Sequence, residues 1–186
     1  MGASDEQLML AYAGGDAVAF EALYGRHKGP LFRFILRSIK AHGEAEEIFQ
    51  DVWMRAIEAR ARYEPKAKFT TWLYTIAHNR MVDHWRAKGL TPVPLDNGDD
   101  DEGPVIDPPA GPSAEPHRRA EGRQSVARLL DALAALPAAQ REAFLLHEES
   151  GLTVAEIAKV TGTPEETAKS RLRYAMNKLR EAIEDD

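Results

Sequence analysis

Cysteine is missing altogether, which removes disulfide frameworks, thiol catalysis and cysteine-ligated zinc sites in one step and points to a reducing compartment. No apolar run approaches the roughly 18 residues a membrane helix needs, and Met1 to Gln7 are polar and acidic, without signal-peptide character. No stretch alternates with period two, so strands are not expected. There is no glycine-rich phosphate loop, His147-Glu148-Glu149 lacks the second histidine of a zinc-protease helix, and His78 and His84 lie six apart, on different sides of a helix. These absences predict a cytoplasmic protein that makes no membrane contact of its own, is not an enzyme, and uses no metal or cofactor.

The 186 residues that remain are 44% hydrophobic and 29% charged, enough to fold. The net charge of −6 is unevenly spread. Residues 1–88 hold 13 Lys/Arg and 11 Asp/Glu, residues 89–116 hold 7 acids and no base, and residues 117–186 hold 11 bases and 12 acids. The middle stretch also contains 7 of the 11 prolines and 4 of the 13 glycines, and no aromatic residue. Proline removes backbone donors, glycine raises the entropy of ordering, and Asp99 to Glu102 repel one another, so this segment reads as an extended connector spanning roughly 30 Å as a coil. It divides an N-terminal domain (1–88) from a C-terminal domain (117–186) and allows them to act at separate places.

Both lobes read as helical. Ser4 with Gln7 forms a capping-box pattern ahead of a short helix that Gly14-Gly15 ends. Residues 16–40 carry Phe20, Leu23, Tyr24, Leu31, Phe34, Ile35 and Leu36 at helical spacings, with Pro30 expected to bend or break the segment. Residues 44–60 place Ile48, Phe49, Val52, Trp53, Ala56 and Ile57 on one broad stripe and Glu47, Asp51, Arg55 and Glu58 on the other face; residues 69–88 repeat the theme with Phe69, Trp72, Leu73, Ile76, Ala77, Met81 and Trp85. The fold class is all-α: two small helical domains on a flexible acidic linker.

After the linker, a helix containing Val126, Leu129, Leu130, Leu133 and Leu136 stops at Pro137, and another runs from Ala138 to Glu149. A short helix over 153–160, capped by Thr153 with Glu156, then meets a turn at Gly162, and Thr163-Pro164 starts a long helix with Ala168, Leu172, Ala175, Met176, Leu179 and Ile183 inward. Two helices across a short glycine turn are a helix-turn-helix pattern. The outward side carries Glu166, Thr167, Ser170, Arg173 and Tyr174, flanked by Lys169 and Arg171, and suits base edges and phosphates. In the first lobe, residues 60–88 hold seven bases against two acids, interleaved with Tyr63, Phe69, Trp72, Tyr74 and Trp85, and include Asn79. Cations that track phosphates beside rings that stack on bases suit a single strand; by their spacing Phe69, Trp72 and Trp85 equally suit a core.

The phrases GEAEEIFQDVWMRAI (43–57), FTTWLYTIAHNRMVDHWRA (69–87) and LPAAQREAFLLHEESGLTVAEIAKVTGTPEETAKSRLRYAMNKLREAI (136–183), in this order around an acidic connector, resemble bacterial RNA polymerase sigma factors of the extracytoplasmic-function group. The resemblance implies a sigma-two-like and a sigma-four-like domain with no sigma-three domain. Glu47, Gln50, Asp51 and Arg55 would contact core polymerase at the β′ clamp, with the β flap as a further partner surface. Lys66, Lys68, Phe69, Trp72, Tyr74, Asn79, Arg80 and Arg86 would bind and open the downstream (−10) element, Asn79 and the 66–69 loop holding a flipped base. Glu166, Thr167, Lys169, Ser170, Arg171 and Arg173 would read the upstream (−35) element in duplex form. An anti-sigma factor is the implied inhibitor, and the acidic linker would thread the polymerase channels. The acidic tail, Glu181 to Asp186, stands against the helix dipole and is expected to fray. The competing class is a stand-alone helix-turn-helix repressor whose first lobe dimerises or senses a ligand; failure to support initiation with core polymerase marks it.

Overall fold

Side-chain caps close by in the chain start several of the helices. The computed structural model describes residues 2–90 and 116–184, with side chains in the second stretch from Gln124 onward. Residues 91–115 of the connector, with the Asp99 to Glu102 run, and Asp185 and Asp186 lie outside the described residues. In chain order the helices are α1 (Asp5–Ala13), α2 (Ala17–Ile39), α3 (His42–Ala59), a 3-10 turn (Arg60–Arg62), α4 (Phe69–Ala87), α5 (Pro116–Ala135), α6 (Ala138–Ser150), α7 (Val154–Thr161) and α8 (Glu165–Glu184), with no strand among the described residues. Ser4 and Gln7 close the expected capping box on α1, and Thr153 and Glu156 close one on α7. Asp16 caps α2 by accepting from the Val18 and Ala19 amides. Gly162, at φ 65°, ends α7 in the left-handed region that glycine enters without a Cβ clash.

Pro30 does not break α2, which runs unbroken from Ala17 to Ile39. The flanking Leu23, Leu31, Phe34 and Ile35 are all fully buried, and their burial, on the order of 1.5–3 kcal/mol per side chain, outweighs the hydrogen bond that proline omits. At the other end of the chain, α8 keeps helical geometry to Glu184, and Lys178 reaches Glu181 at 3.3 Å. The stripe ends earlier than expected: Leu179 is buried, whereas Ile183 is 48% exposed, and Val126 and Leu130 of α5 are exposed as well.

The first lobe packs α1 to α4 around Leu23, Phe34, Ile35, Ile48, Val52 and Leu73, and the second packs α5 to α8 around Leu145, Leu146, Leu152, Ile157, Leu172 and Leu179. The lobes are not apart. Helix α2 lies on α6 and α4 on α7, so one buried cluster runs through both lobes. Polar contacts tie the seam. Glu149, whose side chain is only 7% exposed, accepts from Arg33 Nε at 2.9 Å and from Arg37. His78 Nδ1 lies 2.5 Å from Glu142 Oε1, Lys68 Nζ 2.9 Å from Glu156 Oε1, and Lys40 Nζ donates to the Ala134 carbonyl.

Candidate nucleic-acid interface

Helix α3 buries Ala45, Ile48, Val52, Trp53 and Ala56. That stripe turns Glu47, Gln50 and Arg55 to the surface with Asp51 half-exposed beside them. Met54, 54% exposed, shares this face; it stands out of the stripe by spacing alone. The flank toward α4 is a ladder of opposite charges: Glu44 meets His84 at 3.1 Å and also Lys88, Asp51 meets Arg80 at 2.7 Å, and Arg55 meets Asp83 at 3.7 Å. The paired His84 and Lys88 hold the Glu44 carboxyl below its ordinary value, the Lys88 hydrogen bond contributing most.

The predicted downstream-element residues separate into three groups. Asn79 and Arg86 are exposed on α4. Asn79 opens onto a shallow hollow between α3 and α4 that Arg55, Glu58, Ala59, Arg62 and Ile76 also line. Arg62 and Glu58 are not among the expected site residues; the excess of bases over residues 60–88 contains Arg62, and the charged face of 44–60 contains Glu58. Lys66 and Lys68 are exposed but paired, with Glu64 and Glu156 respectively, and Arg80 is folded back onto α3 with its side chain 14% exposed.

Phe69 and Tyr74 belong to the core, not to a strand-facing surface. They are 1% and 0% exposed. The Tyr74 ring meets Phe34 edge-on at 5.2 Å, its hydroxyl is buried with no hydrogen-bond partner among the described residues, and burial, reinforced by the Glu149 charge, raises its pKa above the ordinary 10.0. Trp72 is half-buried, with Tyr63 5.1 Å and Phe69 5.8 Å from its ring centre. Burial pushes the Tyr63 hydroxyl up to about 12. The loop into α4 is fastened from a distance: the Phe69 amide donates to Glu6 Oε1 at 2.8 Å, and this bond, against the opposing effect of burial, holds the Glu6 carboxyl below its ordinary 4.5.

In the second lobe, Ile157, Ala158 and Val160 of α7 and Ala168, Leu172 and Ala175 of α8 are buried across the Gly162 turn. Glu166 and Lys169 are the most exposed of the expected readers, while Thr167, Ser170 and Arg171 are partly covered. Arg173 is not fully outward. Its guanidinium lies 5.4 Å from the Tyr174 ring centre, and its Nε is buried without a hydrogen-bond partner among the described residues. Thr163 pairs through its hydroxyl with Thr161 at 2.9 Å. A cleft between the lobes is lined by His78, Trp85 and Arg86 on one side and Thr161, Thr163 and Arg171 on the other. A reader expected for each promoter element therefore faces the same cleft.

Among the described residues, no helix is long and apolar enough to cross a membrane. The Sigma-70 region 2 model matches residues 23–91 and the Sigma-70 region 4 model residues 127–179. The chain is 34% identical to the ECF RNA polymerase sigma factor RpoE of Cereibacter sphaeroides, covering 89% of this chain and 87% of that one. It is 30% identical to the RNA polymerase sigma factor CarQ of Myxococcus xanthus, over 94% and 95%. The fold resembles that of RpoE from Bartonella quintana, solved with the anti-sigma factor NepR, at TM-score 0.65 and 27% identity over 90% of this chain and 98% of that one. It also resembles CnrH, solved with the cytosolic domain of CnrY, at TM-score 0.66 and 23% identity over 98% of both. With both conserved regions present in order and relatives matched along nearly their whole length, the chain belongs to the extracytoplasmic-function group of RNA polymerase sigma factors.

Proposed function

We propose that this sigma factor docks on core RNA polymerase through the exposed face of α3, captures and opens the downstream element with α4 and the loop before it, and reads the upstream element in duplex form with α8. The observation that carries this reading is the presence, in one chain, of two surfaces that carry basic side chains: the Asn79 hollow flanked by Arg55 and Arg62, and a helix-turn-helix with Lys169 outward. Separating base pairs costs about 1.4 kcal/mol per step in stacking. Capture of the freed strand must recover it, and each base–aromatic stack is worth roughly 1–3 kcal/mol. With Phe69 and Tyr74 in the core, stacking falls to Trp72 and Trp85, and Asn79 and Arg62 supply hydrogen bonds and charge.

Nucleotidyl transfer belongs to the polymerase, and this chain contributes selection and strand capture in the cytoplasm. Because Arg86 and Arg171 share one cleft, the lobes part before both elements can be engaged, and polymerase docking is the event that parts them. The RpoE neighbour is held by an anti-sigma factor, and we assign this chain the same kind of inhibitor.

Run-off transcription with core polymerase on a promoter library tests the proposal. Specific starts are expected, and Arg171→Ala is expected to relax selection at the upstream element by about 1–3 kcal/mol, the worth of a bidentate arginine–guanine contact. A chain that binds duplex yet supports no initiation would instead be a repressor.

A further inference from the structure

We infer that Arg80 is a positioning residue: it holds the Asp51 carboxylate of α3 in the orientation that docks on polymerase and thereby couples that helix to the helix carrying Asn79. The inference rests on α3 being the polymerase face.

The geometry begins in the spacing. On α4 and its C-cap, Arg80, His84 and Lys88 fall at intervals of four, on one side of the helix; on α3, Glu44, Glu47 and Asp51 fall at intervals of three and four. The two stripes meet as an ion-pair seam. Arg80 sits in it most deeply: its Nε donates to Asp51 Oδ2 at 2.7 Å, its Nη2 lies 3.9 Å from Glu47 Oε1, and its side chain is 14% exposed. The Asp51 side chain stays 43% exposed and the Glu47 side chain 73%. A guanidinium is always charged and gives its donors in a rigid fork. Here the fork is directed at two carboxylates, and a DNA phosphate would have to displace them to reach it.

Asp51, by contrast, keeps acceptor capacity. A carboxylate offers about four lone-pair sites, Arg80 takes one oxygen, and the exposed remainder faces solvent. An aspartate alone on a helix surface samples several rotamers, and fixing it at an interface costs entropy that a pre-ordered side chain does not lose. Arg80 supplies that order from inside the lobe. Its neighbour Asn79 opens onto the hollow that Arg55 also lines, so a shift of α3 against α4 is felt on both the polymerase side and the strand-capture side.

The test compares Arg80→Gln, Arg80→Lys, Asp51→Asn and the double variant Arg80→Gln/Asp51→Asn in the full chain. Core-polymerase affinity is read by fluorescence anisotropy, and holoenzyme promoter affinity is measured across a salt series at saturating core. We expect Arg80→Gln to weaken core binding about fivefold, the order of one partly exposed ion pair, Arg80→Lys to restore most of it, and the double variant to lose no more than the worse single variant. The slope of log promoter affinity on log salt is expected to be unchanged. A slope reduced by about one, with core binding intact, would make Arg80 a phosphate contact and overturn the inference. Additive losses in the double variant would overturn it as well. If Arg80→Gln does not fold, Arg80→Met, which also removes the cation, takes its place in both measurements. A wild-type chain that fails to bind core polymerase overturns the proposed function, whereas wild-type binding that Arg80 does not influence overturns only the positioning role.

Discussion

Tyr74 and Asn79 stand five positions apart on α4, and only one of them can meet DNA. Tyr74 reads as a stacking ring because a helical wheel assigns one buried stripe, and Phe69, Leu73, Ala77 and Met81 already fill it. The wheel cannot show that α4 is covered twice, by α2 and α3 within its lobe and by α7 from the other. Tyr74→Phe removes a hydroxyl that is buried without a described partner, so stability in urea unfolding is expected to hold or to rise by about 1 kcal/mol. Promoter opening is expected to be unaffected. Asn79→Ala leaves the fold intact and is expected to reduce open complexes about tenfold, the effect of losing a paired base contact, as read by permanganate reactivity of unpaired thymines. Arg173 is a partial miss of the same kind: its outward angle was legible, whereas its stacking on Tyr174 depends on a rotamer that spacing does not specify.

Helix starts were legible where the cap is local and illegible where it is not. Ser4 with Gln7 and Thr153 with Glu156 lie three residues apart and were read directly; α4 starts at Lys68, which gives it no side-chain cap. Its cap is Glu6 of α1, sixty-three residues away, placed there only once the lobe has folded. Glu6→Ala is therefore expected to destabilise the chain by about 1 kcal/mol at pH 7, within the usual range for an N-cap, in thermal unfolding. The sign of its pH dependence follows from the carboxyl lying below its ordinary 4.5 in the folded chain. The contribution is complete above pH 4.5 and is lost as the pH falls through the lowered folded value, so the gap between wild type and Glu6→Ala closes in acid. Pro30 shows the reverse case, a strong local signal overruled by the burial of its neighbours along α2.

Two lobes and a connector were evident from composition; that the lobes touch was not. Arg33 and Glu149 are 116 residues apart in sequence, and nothing in either segment marks the other as its partner. Glu149→Ala removes the acceptor shared by Arg33 and Arg37 and is expected to loosen the seam. Small-angle scattering checks this as a rise in radius of gyration above the wild-type value, a compact chain of this length having about 16 Å. The seam also has a polarity: its charged and donor groups, Arg33, Arg37, Lys40, Lys68 and His78, come from the first lobe, and the groups they meet, Glu142, Glu149, Glu156 and the Ala134 carbonyl, come from the second. Of these groups only Lys68 is an expected DNA contact, and there Glu156 of the second lobe occupies the position that the proposed function gives to a phosphate. Added salt then acts on the uncomplexed factor in opposite senses, screening its attraction for DNA while also slackening the internal counterfeit that competes with DNA. The log–log salt plot of promoter binding by the free chain should accordingly be flatter than that of its Glu156→Gln variant.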